Sequence, residues 1–187
     1  MITLDSREMQ LISLMKSRDL DKYASFINIE SKQLDIGDIH ITFAGKSWIF
    51  ERKTVNDLMA SIKDGRYREQ KARLISTGLD ITYIIEGDDI VSSKYERYQP
   101  LLSGAYLHTM YRDNIRIVFT KSTNDTCTFL LTLCTKIIDK PDEFITKQDT
   151  EYIQCLKLKT KKIDNITPDL CYLMPVSYTH LTLPTKA

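Results

Sequence analysis

The segment from Ile81 to Ile85 places the strongest constraint on how this 187-residue chain can fold. Its residues, ITYII, are apolar at nearly every position, whereas a strand with one face in water would alternate between apolar and polar residues. Such a run is typical of a strand covered on both faces, which requires helices on both sides of a sheet. We therefore expect a layered α/β domain with this strand in its interior.

The rest of the pattern predicts strands and helices in alternation. Alternating or β-branched segments predict further strands at 2–5, 26–33, 39–43, 47–53 and 115–119. Helical spacing of apolar residues predicts helices over 8–18, 54–63, 66–75, 101–111 and 123–138. Strands 39–43 and 47–53 should form an antiparallel hairpin with its turn at Gly45 and Lys46. The fold class is thus α/β, with a mixed central β-sheet flanked by helices.

Composition limits the possible classes of protein. With a net charge of +1, affinity for nucleic acid must come from local clusters of Lys and Arg. The cysteines show no CxxC spacing and no nearby His, which argues against a zinc site or a disulfide framework and for reduced thiols inside a cell. No signal peptide or run of about 18 apolar residues is present, so we expect no membrane span.

The tripeptide Glu51-Arg52-Lys53 is the strongest chemical candidate. Residues two apart on a strand point the same way, so Glu51 and Lys53 share one face and Arg52 points to the other. Asp38, at the start of the neighbouring strand, lies close to Glu51 if the hairpin register allows it. Two carboxylates can bind Mg²⁺ or Mn²⁺, although such a tripeptide by itself is more often a solvated strand end.

A basic segment follows this strand. Its cations outnumber Asp64 and Glu69, and they are Lys63, Arg66, Arg68, Lys71 and Arg73. A positive helix attracts phosphate backbones without reading base sequence. We expect DNA contacts from Arg52, Arg66, Gln70, Lys71 and Arg73, with Arg66 and Gln70 nearest the site. The alternative is an amphipathic surface helix in which Glu69 pairs with Arg73.

Four separated motifs together resemble one enzyme family. They are GDI at Gly37, ERKTVNDL at Glu51, SIKDGRYREQKARL at Ser61 and YIIEG at Tyr83. They resemble the XPF/MUS family of structure-specific endonucleases, with its ERCC4-type nuclease domain and shared pattern GDxnERKxxxD, and most of all its Mus-type catalytic subunit. The resemblance runs from about Ile2 to Ile138. It implies a restriction-endonuclease-like core, dependence on Mg²⁺ or Mn²⁺, and cleavage near 3′ flaps, forks and nicked junctions in DNA repair and recombination.

The resemblance also implies roles for individual residues. Asp5, Asp38 and Glu51 match the metal-binding acids, and Lys53 matches the catalytic lysine. Asp57 matches the last acid of the motif, although the pair Thr54 and Asp57 also resembles a helix capping box. By itself Asp5 is more simply a turn acid, and the resemblance favours its place in the site. Because every expected acid is present, the chain resembles the cutting subunit.

The resemblance divides the chain at residues 140 and 174. Residues 1–140 form the expected nuclease domain, and 141–174 a linker toward a helix-hairpin-helix domain that the chain does not reach. Residues 175–187, PVSYTHLTLPTKA, look like a non-native tail. In this family the missing domain mediates pairing, so we expect branched DNA and a noncatalytic (Eme-type) or identical subunit as partners.

Two other functions remain open at this point. One is a catalytically weak DNA-binding or dimerisation subunit, against which the retained acids argue. The other is a Holliday junction resolvase-like or restriction enzyme on the same core. The expected location is the nucleus in a eukaryotic cell, or the cytoplasm or a viral factory if the source is viral.

Overall fold

The computed structural model describes residues 1–18, 27–87 and 97–145. The strands are β1 (Ile2–Asp5), β2 (Ile29–Lys32), β3 (Ile39–Phe43), β4 (Lys46–Thr54), β5 (Asp80–Glu86) and β6 (Arg116–Thr120). The helices are α1 (Met9–Ser17), α2 (Val55–Lys63), α3 (Arg66–Ser76), α4 (Gln99–Leu107), α5 (Thr123–Asp139) and α6 (Pro141–Ile145), with a π-helical turn at His108–Arg112 after α4. Phe26, most of the expected linker and the tail at 175–187 lie outside the described residues.

The described strands form one mixed sheet in the order β2-β1-β3-β4-β5-β6. β3 pairs antiparallel with both β1 and β4, and the other three pairings are parallel. β5 lies in the interior, and its residues from Ile81 to Glu86 are all buried. The prediction drawn from the apolar run at 81–85 is therefore confirmed.

Helices cover both faces of this sheet. On one face, Leu11 of α1 and Leu130 of α5 pack with Leu4 and Phe50 of the strands. A second cluster lies on the other face, where α3 and α4 pack against β4 and β5 through Ile49, Tyr67, Leu74, Tyr83 and Leu102. The α/β class and the mixed sheet with flanking helices are confirmed. Packing continues beyond residue 140, because Phe144 of α6 contacts the first cluster.

The helices and two of the cysteines can be described individually. Every helix in the described ranges is too short or too polar to cross a bilayer. Cys127 and Cys134 are buried as free thiols in α5. The other two cysteines lie outside the described residues.

The hairpin turn lies one residue earlier than predicted. Phe43 pairs with Lys46, so the loop consists of Ala44 and Gly45 and Lys46 belongs to β4. Both loop residues have positive φ, 46° at Ala44 and 81° at Gly45. Such a two-residue loop matches the right-handed twist of the strands, which explains the earlier turn. The predicted helix at 101–111 also differs, since α4 ends at Leu107 and a π-helical turn follows.

Gly37 sits where the chain enters β3, directly before Asp38. Its φ is +70°, and a Cβ built there would lie 2.5 Å from Ile49 Cγ2 and 3.3 Å from the Phe50 carbonyl oxygen. A glycine is required both by the backbone conformation and by the close approach of β4. The glycine of the GDI motif thus lets Asp38 approach the strand that carries Glu51.

We expect Gly37→Ala to destabilise the fold more than Gly65→Ala does. Gly65 also has positive φ, +78°, but its Cβ would meet nothing within 4 Å. We therefore expect Gly65→Ala, the control, to lower the free energy of unfolding by about 1 kcal/mol, the cost of alanine at positive φ. Gly37→Ala adds the overlap with Ile49, so its total loss should be about 3 kcal/mol. Urea unfolding measures both, and equal losses would contradict this account of Gly37.

Candidate metal and catalytic site

Three acids line up across neighbouring strands at one end of the sheet. The Asp5 backbone N–H donates to the Asp38 carbonyl at 2.8 Å, and the Asp38 N–H donates to the Phe50 carbonyl at 2.9 Å. The β3–β4 pairing ends at Ile39 and Phe50, and Asp38 directly precedes β3. The negative charge of Glu51 helps to raise the pKa of Asp38, which supports the predicted proximity of the two carboxyl groups.

Asp38 is held in place by a backbone hydrogen bond. Its Oδ2 accepts from the Arg52 N–H at 2.8 Å, across the β3–β4 pair. Burial of the Asp38 carboxyl, followed by the negative charge of Glu51, raises its pKa to about 7. Two carboxylates that repel one another in a partly buried position form a site that a bound cation would stabilise.

Lys53 has two partners in the site. Its Nζ donates to Glu51 Oε1 at 3.0 Å and to Gln70 Oε1 at 2.8 Å. Glu51 and Lys53 are both buried, 8% and 9% exposed, and they lie on the same face of β4 as predicted. The ammonium group is therefore held between an acid of its own strand and an amide from α3.

Tyr83 is a neighbour of the site that sequence reasoning missed. It pairs with Glu51 across β4 and β5, and its hydroxyl is buried without a hydrogen-bond partner among the described residues. Burial first, and then the charge of Glu51, raise the pKa of Tyr83. An unpaired buried hydroxyl is costly, so a water or ligand atom in the site would be stabilised there. Tyr83 begins the sequence motif YIIEG, but only the pairing of β4 with β5 places its side chain beside Glu51.

The Asp5 carboxylate is bonded within the turn after β1, and its role as a metal ligand stays a prediction. Oδ1 accepts from the backbone N and the Nε of Arg7, at 2.8 and 2.7 Å. Oδ2 accepts from Arg7 Nη2 at 3.0 Å and from the Leu34 N–H at 2.9 Å. The hydrogen bond from the Arg7 side chain, against the opposing effect of burial, holds the pKa of Asp5 far below its usual range. These contacts fix the turn after β1.

Thr54 caps α2 as the pattern predicts, and the Asp57 carboxylate accepts from the Thr54 hydroxyl, where a full capping box would use the Thr54 backbone N–H. The Asp57 N–H donates to Thr54 Oγ1 at 3.1 Å, and the Thr54 hydroxyl donates to Asp57 Oδ2 at 2.6 Å. Asp57 is exposed at the first turn of α2. The contacts account for a capping role, and a catalytic role for Asp57 stays a prediction. Within the described ranges, no three Asp, Glu, His or Cys side chains form a group that could hold a metal ion.

Arg52 is engaged on the opposite face of β4, and its contact with DNA stays a prediction. Its guanidinium binds Glu8 at 2.8 Å and both carboxylate oxygens of Glu86 at 2.7 and 2.9 Å. Thr123 and Thr126 of α5 also donate to Glu86. Arg52 therefore joins β4 to β5 and to the starts of α1 and α5, because strand alternation turns it away from Glu51.

Lys71, also predicted to contact DNA, is buried and paired. Its Nζ lies 2.6 Å from Asp113 Oδ2 and donates to Thr109 Oγ1 at 3.1 Å. Only 5% of the residue is exposed. This position on α3 faces the π-helical turn, so Lys71 anchors the helix, and its contact with phosphate stays a prediction.

The other predicted DNA contacts divide into two groups. Gln70 reaches the site, as expected, but its side-chain oxygen is bonded to Lys53. Arg66 is exposed and paired with Asp64 at 2.7 Å, and Arg73 is exposed near the end of α3. Arg66 and Arg73 thus keep their charges at the surface, where a phosphate backbone could reach them.

Comparison with known proteins assigns the chain to a family. A family model described as the ERCC4 domain matches residues 4–133. This chain belongs to the ERCC4-domain family. The matched residues extend from β1 into α5, and therefore include Asp38, Glu51, Lys53 and Gln70 of the ERCC4 domain.

Several curated relatives resemble the chain in sequence. The crossover junction endonuclease MUS81 of Debaryomyces hansenii is 31% identical over 179 residues, which cover 88% of this chain and 26% of that protein. The probable crossover junction endonuclease mus81 of Dictyostelium discoideum is 48% identical over 69 residues, covering 33% of this chain and 8% of that protein. The chain thus spans about a quarter or less of these relatives.

Solved structures show the same fold. XPF from Aeropyrum pernix superposes with a TM-score of 0.60 at 22% identity, covering 95% of this chain and 81% of that chain. XPF from the same organism in complex with DNA gives a TM-score of 0.59 at 23% identity, with coverage of 96% and 82%. The six-stranded sheet with helices on both faces is thus the fold of XPF.

The charge repulsion at Asp38 predicts a pH-dependent stability of the ERCC4 domain. Since the pKa of Asp38 rises from 3.8 to about 7, the folded protein binds more protons than the unfolded chain between these values. Its contribution to the free energy of unfolding therefore falls as pH rises through this window, and is constant above it. Asp38→Asn, which keeps an acceptor for Arg52, should be more stable than wild type by roughly 2 kcal/mol near pH 8 and by much less near pH 4.

Urea unfolding across this pH range measures the effect. Asp35→Asn, which removes an exposed acid from the same segment, is the matched control and should leave the pH dependence unchanged. A constant difference between Asp38→Asn and wild type at every pH would contradict the predicted repulsion.

Proposed function

We propose that this chain is a metal-dependent, structure-specific DNA endonuclease that hydrolyses phosphodiester bonds near branch points such as 3′ flaps, forks and nicked junctions. The observation that carries the proposal is the grouping of Asp38, Glu51 and Lys53 where the β3–β4 pairing ends. Lys53 is hydrogen-bonded to Glu51, and the Asp38 carboxyl, bonded to the Arg52 N–H, is near enough for the charge of Glu51 to raise its pKa. Such fixed positions favour catalysis, because charge stabilisation depends on preorganised groups.

The donor set fits a divalent cation of the Mg²⁺ or Mn²⁺ type. Asp38 and Glu51 would hold it with oxygen ligands, and these hard cations keep several waters when few protein ligands are available. The raised pKa of Asp38, caused by burial and by Glu51, and the unpaired Tyr83 hydroxyl support this fit. When bound, the cation would act as a Lewis acid on the phosphate and lower the pKa of a bound water.

Lys53 and the exposed cations of α3 have separate roles in this proposal. The Lys53 ammonium, beside Glu51, would neutralise charge that develops on the scissile phosphate or hold the attacking water. Arg66 and Arg73 would attract the DNA backbone without reading base sequence, as recognition of a branch by shape requires. The names of the relatives, crossover junction endonucleases, and the DNA complex of XPF support DNA as the substrate.

The wider biological role rests on the family resemblance. We propose that the chain acts in DNA repair or recombination, in the nucleus if the source is eukaryotic. Pairing with a noncatalytic (Eme-type) or identical subunit is part of the same proposal. Sedimentation of the chain with and without branched DNA would test the pairing.

A catalytically weak DNA-binding subunit is the second candidate. It is favoured by the contacts of the Asp5 carboxylate with Arg7 and Leu34, and by the finding that no three acids, His or Cys within the described ranges form a group that could hold a metal ion. Titration with Mn²⁺ in a calorimeter discriminates between the two candidates. Heat that disappears in Asp38→Asn supports the nuclease, whereas no heat from the wild-type chain favours the weak subunit.

We expect Asp38→Asn and Glu51→Gln each to lower Mg²⁺-dependent nicking of a 3′-flap substrate by roughly 100-fold or more, because each removes a charge from the metal site. Asp35→Asn, an exposed acid outside the site, is the control and should cleave like wild type. Denaturing gels with labelled flap and linear duplex measure the rates. Unchanged nicking in both site variants would refute the proposal, and equal cleavage of linear duplex would favour a restriction-type enzyme.

A further inference from the structure

Lys53 is held from two directions by groups of different charge. Its flexible four-carbon stem carries three N–H donors, and one partner alone would leave the ammonium free to rotate. Glu51 Oε1, on the same strand, accepts at 3.0 Å, and Gln70 Oε1, on α3, accepts at 2.8 Å. The second contact fixes the direction in which the Lys53 amine points.

The partner from α3 is a neutral amide. Asp38 and Glu51 already place two acids in a partly buried site. A third carboxylate would add to their repulsion and would compete for the Lys53 charge. The amide oxygen of Gln70 orients the ammonium without adding a negative charge, so the residue type fits a positioning role.

The helix that carries Gln70 is itself anchored. The next residue, Lys71, is buried in an ion pair with Asp113 and a hydrogen bond to Thr109. The Tyr67 hydroxyl also bonds Thr109, and the Tyr67 ring packs edge-on against Tyr83 at 5.8 Å. These contacts fix the rotation of α3 about its axis and so hold Gln70 toward β4.

We infer that Gln70 is a positioning residue that aligns Lys53 with Glu51 for the reaction, and that it is not a DNA contact. This inference rests on the proposed function, since it concerns the lysine of that site. Without the Gln70 oxygen, Lys53 keeps Glu51 as its partner but samples other rotamers. Misplacement of a reacting group by about 1 Å can cost roughly 100-fold in rate, and we expect Gln70→Met to lower kcat by roughly 10- to 100-fold.

Steady-state kinetics on the 3′-flap substrate with Mg²⁺ separate the two roles of Gln70. A positioning residue lowers kcat and leaves KM for DNA unchanged, whereas loss of a uniform DNA contact raises KM with kcat unchanged. Glu69→Met is the matched control, since it introduces the same side chain at the adjacent, exposed position of α3. It should retain the kcat of wild type.

A double-mutant cycle tests whether Gln70 acts through Lys53. In a Lys53→Met background, Gln70→Met should cause no further loss of kcat, because the amine that it positions is gone. A raised KM with unchanged kcat, or the same fold loss in both backgrounds, would overturn the inference. Urea unfolding of Gln70→Met beside Glu69→Met checks that folding is not the cause.

Nitrogen NMR of lysine ammonium groups gives a readout that needs no nuclease activity. In ¹⁵N-lysine-labelled protein, the buried Lys53 should give a slowly exchanging ammonium signal, assigned by its absence in Lys53→Met. We expect Gln70→Met to abolish or shift this signal and Glu69→Met to preserve it. An unchanged signal overturns the positioning role, whereas failure of wild type to cleave any branched DNA with Mg²⁺ or Mn²⁺ is a failure of the proposed function alone.

Discussion

The antiparallel register of β3 and β4 is the constraint on which the site depends. It is set by the two-residue loop at Ala44 and Gly45, and it brings Asp38, directly before β3, to the part of β4 that carries Glu51. A shift by one residue would turn Glu51 to the opposite face of the sheet, since the side-chain period of a strand is two. Gly37 reinforces this register, because only a residue without a Cβ fits between β3 and Ile49. The positions of the Asp38 and Glu51 carboxylates thus depend on how the β3–β4 hairpin closes.

Alternate residues of β4 point to opposite faces of the sheet, so the candidate site residues and the structural Arg52 lie on different faces. Glu51 and Lys53 face α3, where Gln70 meets the lysine, while Arg52 faces α1 and α5 and binds Glu8 and Glu86. Burial alone would raise the pKa of Glu86, but hydrogen bonds from Arg52, Thr123 and Thr126 lower it, so this pair is stable in its charged form. Near Glu51, by contrast, the charges of Asp38 and Glu51 repel one another, and a bound cation would reduce this repulsion.

A buried polar network links the site to the π-helical turn. Lys71 and Asp113 form an ion pair that would be costly to break, because removing one partner leaves a buried charge. Hydrogen bonds from Arg112 and Lys71, which outweigh the effect of burial, lower the pKa of Asp113 to about 2. Asp113 is therefore ionised at neutral pH. Lys71, which sequence reasoning assigned to DNA, thus helps to fix the helix that carries Gln70.

Local patterns in the sequence determined the elements, the buried strand β5, the common face of Glu51 and Lys53, and the helix cap at Thr54, since each depends on residues only a few positions apart. The ordered motifs also indicated the nuclease family. Tertiary structure decided what each polar side chain contacts. The Asp5 carboxylate accepts hydrogen bonds from Arg7 and Leu34. Lys71 is buried in an ion pair with Asp113. Tyr83 lies beside Glu51 because β4 and β5 pair in parallel. Charge and residue type do not reveal such partners, because burial and strand register arise from contacts between segments far apart in the chain.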